Sequence, residues 1–402
     1  MKPRTLIAAL ALGSLAAPLA AESASTAFQT RGSNSVTSTG SAIPQFVPAS
    51  DRREHRIDYE HWNEALAWFV VPMGPSIRET PGRVEPELGT RRIYGHESRY
   101  RLEGNRVAFS YLTPGIRQAL TEYRQDLERV GTQLDLTAIP RNEQLAFWLN
   151  LHNVAVIEAL AGEYPLSEPA ERQFGSNGAP LDDAKLVTIK GVELSPRDIR
   201  ERIVYPNWQD PKVIYGFWRG VIGGPSIQRL AYTGGNVDAL LSLAGEEFVN
   251  SLRGVESYGG ALRVSRVYEE AAPYYFGDFD ALRGHLAQFA AEDVQKLLSK
   301  TSRTAYNTFD GDLADLARGE RDPGVNFRFS QRDPAVGANG LASGPNGLSA
   351  PPVRSRPNIA IQRLIAERQA KISKAIKRGI RTGMVIYGDG DYSEGEAPKE
   401  VE

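Results

Sequence analysis

Apolar positions in this chain change their spacing several times, and each change predicts an element. Tyr59, Trp62, Leu66 and Phe69 recur three to four residues apart and predict a helix ending before Pro72. Tyr100 to Leu102 and Val107 to Tyr111 flank Glu103-Gly104-Asn105-Arg106 and read as a hairpin. Thr113 then offers an N-cap, Pro114 suits a first turn, and Ile116, Leu120, Tyr123, Leu127 and Val130 form the buried stripe of a helix.

The stretch from Asn142 to Leu160 is different. Leu145, Ala146, Phe147, Trp148, Leu149, Leu151, Val154, Val156, Ile157 and Leu160 cover nearly every direction around a helix, so this helix is expected to be enclosed. It nevertheless carries Asn150, His152 and Asn153, with the two amides on one face. A buried amide left without partners costs about 1–3 kcal/mol. These side chains must therefore meet polar groups, of the scaffold or of a ligand.

Further along, Leu186 to Ile189 and Val192 to Leu194 flank Lys190-Gly191, a second hairpin. Ser195-Pro196-Arg197-Asp198 opens a helix, with Ser195 as cap and Asp198 as the capping acid. Gly220 to Ser226 reads as a glycine-rich turn with a helix starting at Ser226. Asn236 caps a helix lined by Val237, Leu240, Leu241, Ala244 and Phe248 and stopped near Gly254. Leu262 to Tyr268 reads as a strand, and Asp280 starts another helix. Helices and strands do not alternate regularly. The expected fold is α+β: a single helix-rich domain around a small, mostly antiparallel sheet, with a separate C-terminal helix.

The ends of the chain read differently from its body. Lys2 and Arg4 precede an apolar run from Leu6 to Ala17 and then small residues, which predicts a cleaved signal peptide over 1–21 and a periplasmic or secreted protein. Residues 22–50 read as a disordered leader, 51–330 as the core domain and 331–357 as a linker. Residues 358–388 form a basic amphipathic helix, suited either to docking on the body or to peripheral contact with an anionic membrane, and 389–402 an acidic tail. A net charge of −2 gives no reason to expect a nucleic-acid partner.

Three segments give the chain a resemblance. They are Ala146-Phe147-Trp148-Leu149-Asn150-Leu151-His152-Asn153, the helix from Ser195 to Tyr205, and Asp210 to Ser226. In order and spacing, across residues 100 to 280, the chain resembles the domain-of-unknown-function 547 family. That resemblance brings no established activity; it points to papain-like or transglutaminase-like folds. The departures are specific: His152 stands where the family has Tyr, Arg200 where it has Glu, and Arg219 where it has Cys. The family's His is likewise replaced, within Ile214-Tyr215-Gly216-Phe217. The chain has no cysteine at all, so thiol chemistry and cysteine-based zinc sites are excluded.

The candidate site residues follow. His152 could act as a base or be a packed core histidine. Asn150, Asn153, Arg197, Glu201, Arg219, Ser226, Asn250 and Arg253 are candidate ligand-binding residues. For Arg197 and Glu201 the alternative is a solvated helix face. For Arg219 and Ser226 it is a glycine turn that holds no anion. Asn250 and Arg253 are explained by neither capping nor helix termination. His55, His61, His96 and His285 form no metal-ligand pattern, and neither a metal nor a cofactor is implied. Two functions remain open: a non-catalytic ligand-binding or scaffold protein of the cell envelope, whose partner is a small polar ligand or an envelope protein, or a cysteine-independent hydrolase or transferase.

Overall fold

The computed structural model of the protein describes residues 41–49, 56–86, 93–320 and 358–380. The expected signal peptide, linker and acidic tail lie outside them, as does most of the leader. The end of the leader is ordered, contrary to expectation. Ile43 and Phe46 are buried, the Phe46 ring meets the Trp148 edge at 5.1 Å, and Ile43 N–H donates to the Arg202 carbonyl at 3.1 Å. Two apolar anchors and a backbone bond are enough to order so short a run.

Helix α1 (Glu60–Phe69) buries Trp62, Leu66 and Phe69 and runs into strand β1 (Val70–Pro72). β1 pairs antiparallel with β2 (Asn105–Val107), so the hairpin expected around Glu103-Gly104-Asn105-Arg106 does not form. The fully buried Arg106 guanidinium folds back onto the carbonyls of Tyr100, Arg101 and Glu103. It takes the acceptors that a strand partner would have used. Helix α2 (Pro114–Gln133) starts as expected, with Thr113 Oγ1 accepting from Ile116 N–H.

Helix α3 (Arg141–Glu163) is the axis of the core, buried on all sides from Glu143 to Ile157. It is long and apolar enough to cross a membrane, but 83% of its most apolar window is buried inside the protein, as for a soluble core helix. Strands β3 (Val187–Ile189) and β4 (Val192–Leu194) form the expected hairpin. Lys190 at φ 48° and Gly191 at φ 77° both take the left-handed conformation of a two-residue turn that matches strand twist.

The next helix opens with the expected reciprocal cap: Asp198 N–H donates to Ser195 Oγ, and Ser195 N–H to Asp198 Oδ2. It is π-helical over Asp198–Val204 and ends in the short α4 (Tyr205–Asn207). No helix begins at Ser226; the chain stays irregular until α5 (Val237–Val249). β5 (Val255–Tyr258) and β6 (Ala261–Val264) are antiparallel. The strand expected through Tyr268 stops at Val264, because Glu269, Glu270, Ala271 and Ala272 favour helix and continue α6 (Val267–Tyr275). Helices α7 (Phe279–Phe289) and α8 (Glu292–Lys300) lead to β7 (Arg303–Tyr306), which joins β6 in parallel. Asp278, not Asp280, caps α7. About 49% helix with sheets of two to three strands makes the fold α+β.

The separate C-terminal helix α9 (Ile359–Lys377) is docked. Ala360, Ile361 and Leu364 pack with Met73, Leu102, Ala108 and Leu316 in a second apolar cluster. Three of its cations point inward. Arg363 donates to the His96 carbonyl, Arg368 to the Pro72 carbonyl, and Lys371 to the carbonyls of Gly74 and Leu102. Lys374 and Arg378 pair with Glu79. The outer face carries Gln362, Ala366, Gln369, Ala370 and Ser373, with Lys374, Ile376 and Lys377 exposed in the last turn. In this position the outward basic charge is confined to the end of the helix, at Lys374, Lys377 and Arg378.

Candidate functional site

Asn150 and Asn153 act as clamps between α3 and the irregular segment that crosses it. Asn150 Nδ2 donates to the Tyr232 carbonyl at 2.7 Å, and Tyr232 N–H returns a bond to Asn150 Oδ1 at 3.1 Å. Asn153 repeats the pattern, donating to the Gly216 carbonyl and accepting from Trp218 N–H, each at 3.0 Å. Both amides are thus answered by the scaffold. This is how an apolar helix can hold a non-helical stretch against itself without leaving backbone groups unpaired.

His152 is fully buried with its ring edge on Phe217. Its Nε2 lies 3.2 Å from Arg200 Nη1 and its Nδ1 3.0 Å from Asn153 Oδ1. A guanidinium only donates, so Nε2 accepts and Nδ1 carries the proton. Burial, and next the Arg200 charge, push the imidazole pKa down to about 3. The ring is neutral near pH 7 and both nitrogens are engaged.

Arg200 continues the network from the π-helix. Nε and Nη2 grip Glu270 at 2.9 and 3.1 Å. Nη1 reaches Asp182 Oδ1 at 3.1 Å as well as His152, and Nη2 lies 3.0 Å from Asp182 Oδ2. Every guanidinium N–H therefore has an acceptor. Arg219 grips the same Glu270 from its other side, Nη1 to Oε2 at 2.8 Å and Nη2 to Oε1 at 2.6 Å. Tyr205 donates a further hydroxyl at 3.2 Å.

Burial opposes ionisation of Glu270, but Arg200 and Arg219 hold its carboxyl well below the usual range. Asp182 is likewise lowered by the same two cations against its burial. Its side chain is 36% exposed and is where the network reaches solvent. Glu201, one position on, has its carboxyl raised by burial and by the Glu270 charge, and accepts from Arg197 Nη1 at 3.3 Å. Arg197 also pairs with Asp183 at the surface.

His152, Arg200 and Arg219, three of the departures from the resembled pattern, thus belong to one hydrogen-bonded chain running through Glu270. Arg200 and Glu201 are both buried on the π-helical segment. Sequence reasoning missed Glu270, Asp182 and Tyr205. Glu270 falls just past the strand expected over Leu262 to Tyr268, and nothing local marks it as the counter-charge for two arginines elsewhere.

The other candidates lie apart from this network. Ser226 and Arg253 share a second polar set. Ser226 Oγ donates to Glu247 at 2.9 Å and accepts from Asn105 N–H and from Arg253, which also binds Glu247. Asn250 joins α5 to the α7–α8 junction, donating to the Phe289 carbonyl at 2.8 Å and accepting from Ala291 N–H at 2.7 Å. Asn236 precedes α5 but turns backward, accepting from Thr233 N–H, and does not cap the helix. Among the described residues no three His, Asp or Glu side chains converge as a metal-binding group.

No curated protein and no solved structure matches the chain. A family model described as "Protein of unknown function, DUF547" matches residues 136–249. That span holds α3, the β3–β4 hairpin, the π-helix and α5, and so contains His152, Arg200 and Arg219 but not Glu270. Over residues 136–249 the chain is thus similar to the DUF547 family.

Proposed function

We propose that this chain is an exported, non-catalytic ligand-binding or scaffold protein of the cell envelope. The observation that carries this is the state of His152. Its two ring nitrogens are committed to Asn153 and Arg200 inside sealed packing, which leaves this ring neither base nor acid for a substrate. Arg219, at the family's cysteine position, is spent on Glu270 in the same way. Export rests on the charged and apolar opening from Lys2 to Ala17.

The test is to incubate the purified protein with periplasmic extract, exchange the buffer, denature, and identify released small molecules by mass spectrometry. Stoichiometric retention of one compound, or of one envelope protein, is the expected result. A hydrolytic or transfer activity that disappears in His152→Ala while the melting temperature is kept would overturn the reading.

A further inference from the structure

A groove of about 470 Å³ opens between the start of α2, the end of α3 and the residues leading into β3. Its size falls within the range of small-molecule sites. Three cations line it, Arg117, Arg124 and Lys185, against one acid, Glu158. Two of these cations already hold carboxylates: Arg124 is bound by Glu158 and Glu128, and Lys185 by Asp198. Arg117 is different. Only its Nη1 is used, on the Ala161 carbonyl at 3.3 Å, and the rest of its fork has no acceptor among the described residues. Gln118 and Thr121 stand beside it on the same face of α2. Pro114, Ala159 and Leu186 supply an apolar wall, and Gly162 leaves the opposite wall bare, since a Cβ there would touch nothing within 4 Å.

We propose that this groove is the ligand site, and that its ligand is a small molecule bearing a carboxylate. The inference rests on the binding-protein reading above and names its site and ligand class. The Arg117 fork takes the carboxylate and the short apolar body lies along Pro114, Ala159 and Leu186, while the Thr121 hydroxyl and Gln118 Nε2 are given to the Arg117 carbonyl and to Glu122. Arg124 and Lys185 are committed to their own carboxylates, which leaves the anion to Arg117.

The test is calorimetric titration of the full chain with glutarate at fixed ionic strength, with uncharged glutaramide as control. Glutarate is expected to bind at one site and glutaramide not to bind. Arg117→Gln should weaken glutarate by about tenfold or more. Gly162→Leu should do the same by filling the groove without touching a charge, and it keeps a helix-compatible backbone. Both variants should melt as the wild type does. No glutarate binding, equal binding of the diamide, or unchanged affinity in both variants would overturn the proposal. A compound retained from extract equally by wild type and Arg117→Gln would discard this groove while leaving the binding-protein reading intact. An activity dependent on His152 would remove that reading instead.

Discussion

Arg200 donates from Nη1 to Nε2 of His152 across 3.2 Å, so a cation faces the imidazole lone pair instead of a substrate. The ring should stay neutral with its proton on Nδ1 far below the ordinary histidine range. Its folded pKa is depressed to about 3, while in the unfolded chain the imidazole keeps its ordinary 6.5. The unfolded state therefore binds the proton first as pH falls. The contribution is fully present above pH 6.5 and is lost progressively toward pH 3, on the order of 4 kcal/mol. Urea unfolding between pH 7 and pH 4 should show a slope that His152→Gln reduces. Nitrogen shifts of the ring that titrate near 6.5 would refute the assignment.

Glu270 joins two buried arginines, and its loss leaves them sharing only the partly exposed Asp182 as counter-charge. Glu270→Gln should cost about 3–5 kcal/mol. The double variant with Arg219→Met should be less unstable than the sum of the single changes, because the second charge goes with its partner. Denaturant midpoints with unchanged slopes would measure this; additive effects would show that the pair is not coupled.

Lys371 is buried with carbonyl partners only, and its folded pKa is lowered from 10.5 to about 8, chiefly by burial. The charged form is the disfavoured one in the folded state. This cost is present below pH 8 and is relieved as pH rises from 8 toward 10.5. The difference in unfolding free energy between wild type and Lys371→Met should shift in favour of the wild type across that window. A pH-independent difference would place the ammonium in solvent.

Gly254 has a stricter role than ending a helix. α5 stops earlier, at Val249, and a Cβ on Gly254 would sit 1.9 Å from the Phe248 carbonyl oxygen. Backbone cannot yield as a side-chain tip can. Gly254→Ala should therefore destabilise by about 3 kcal/mol or more in thermal unfolding. A loss below about 1 kcal/mol would contradict that packing.

Much of this was legible in the sequence where the signal was local. The all-round apolarity of α3 announced its enclosure, the Ser195–Asp198 pair its cap, and Lys190-Gly191 its hairpin. The need of Asn150 and Asn153 for partners was also legible, but not which partners: backbone groups of Gly216, Trp218 and Tyr232 carry no side-chain signature. Glu270 and Asp182 escaped because charge pairing between distant segments leaves no period. Arg368 and Lys371 looked like a basic face offered outward, since helical spacing cannot show that carbonyls at the ends of β1 and of the Leu102 turn stand ready to receive them.

The double grip on Glu270 also constrains how this fold can drift. A cysteine at position 219 would strip one fork from that carboxylate, and a glutamate at position 200 would replace the other fork with repulsion. Kindred chains bearing those residues should carry a neutral or basic side chain opposite, in the helix that follows the family segment. The three positions would then change in concert across evolution, and a lone reversion would arrive as a folding defect before it could become a gain of chemistry.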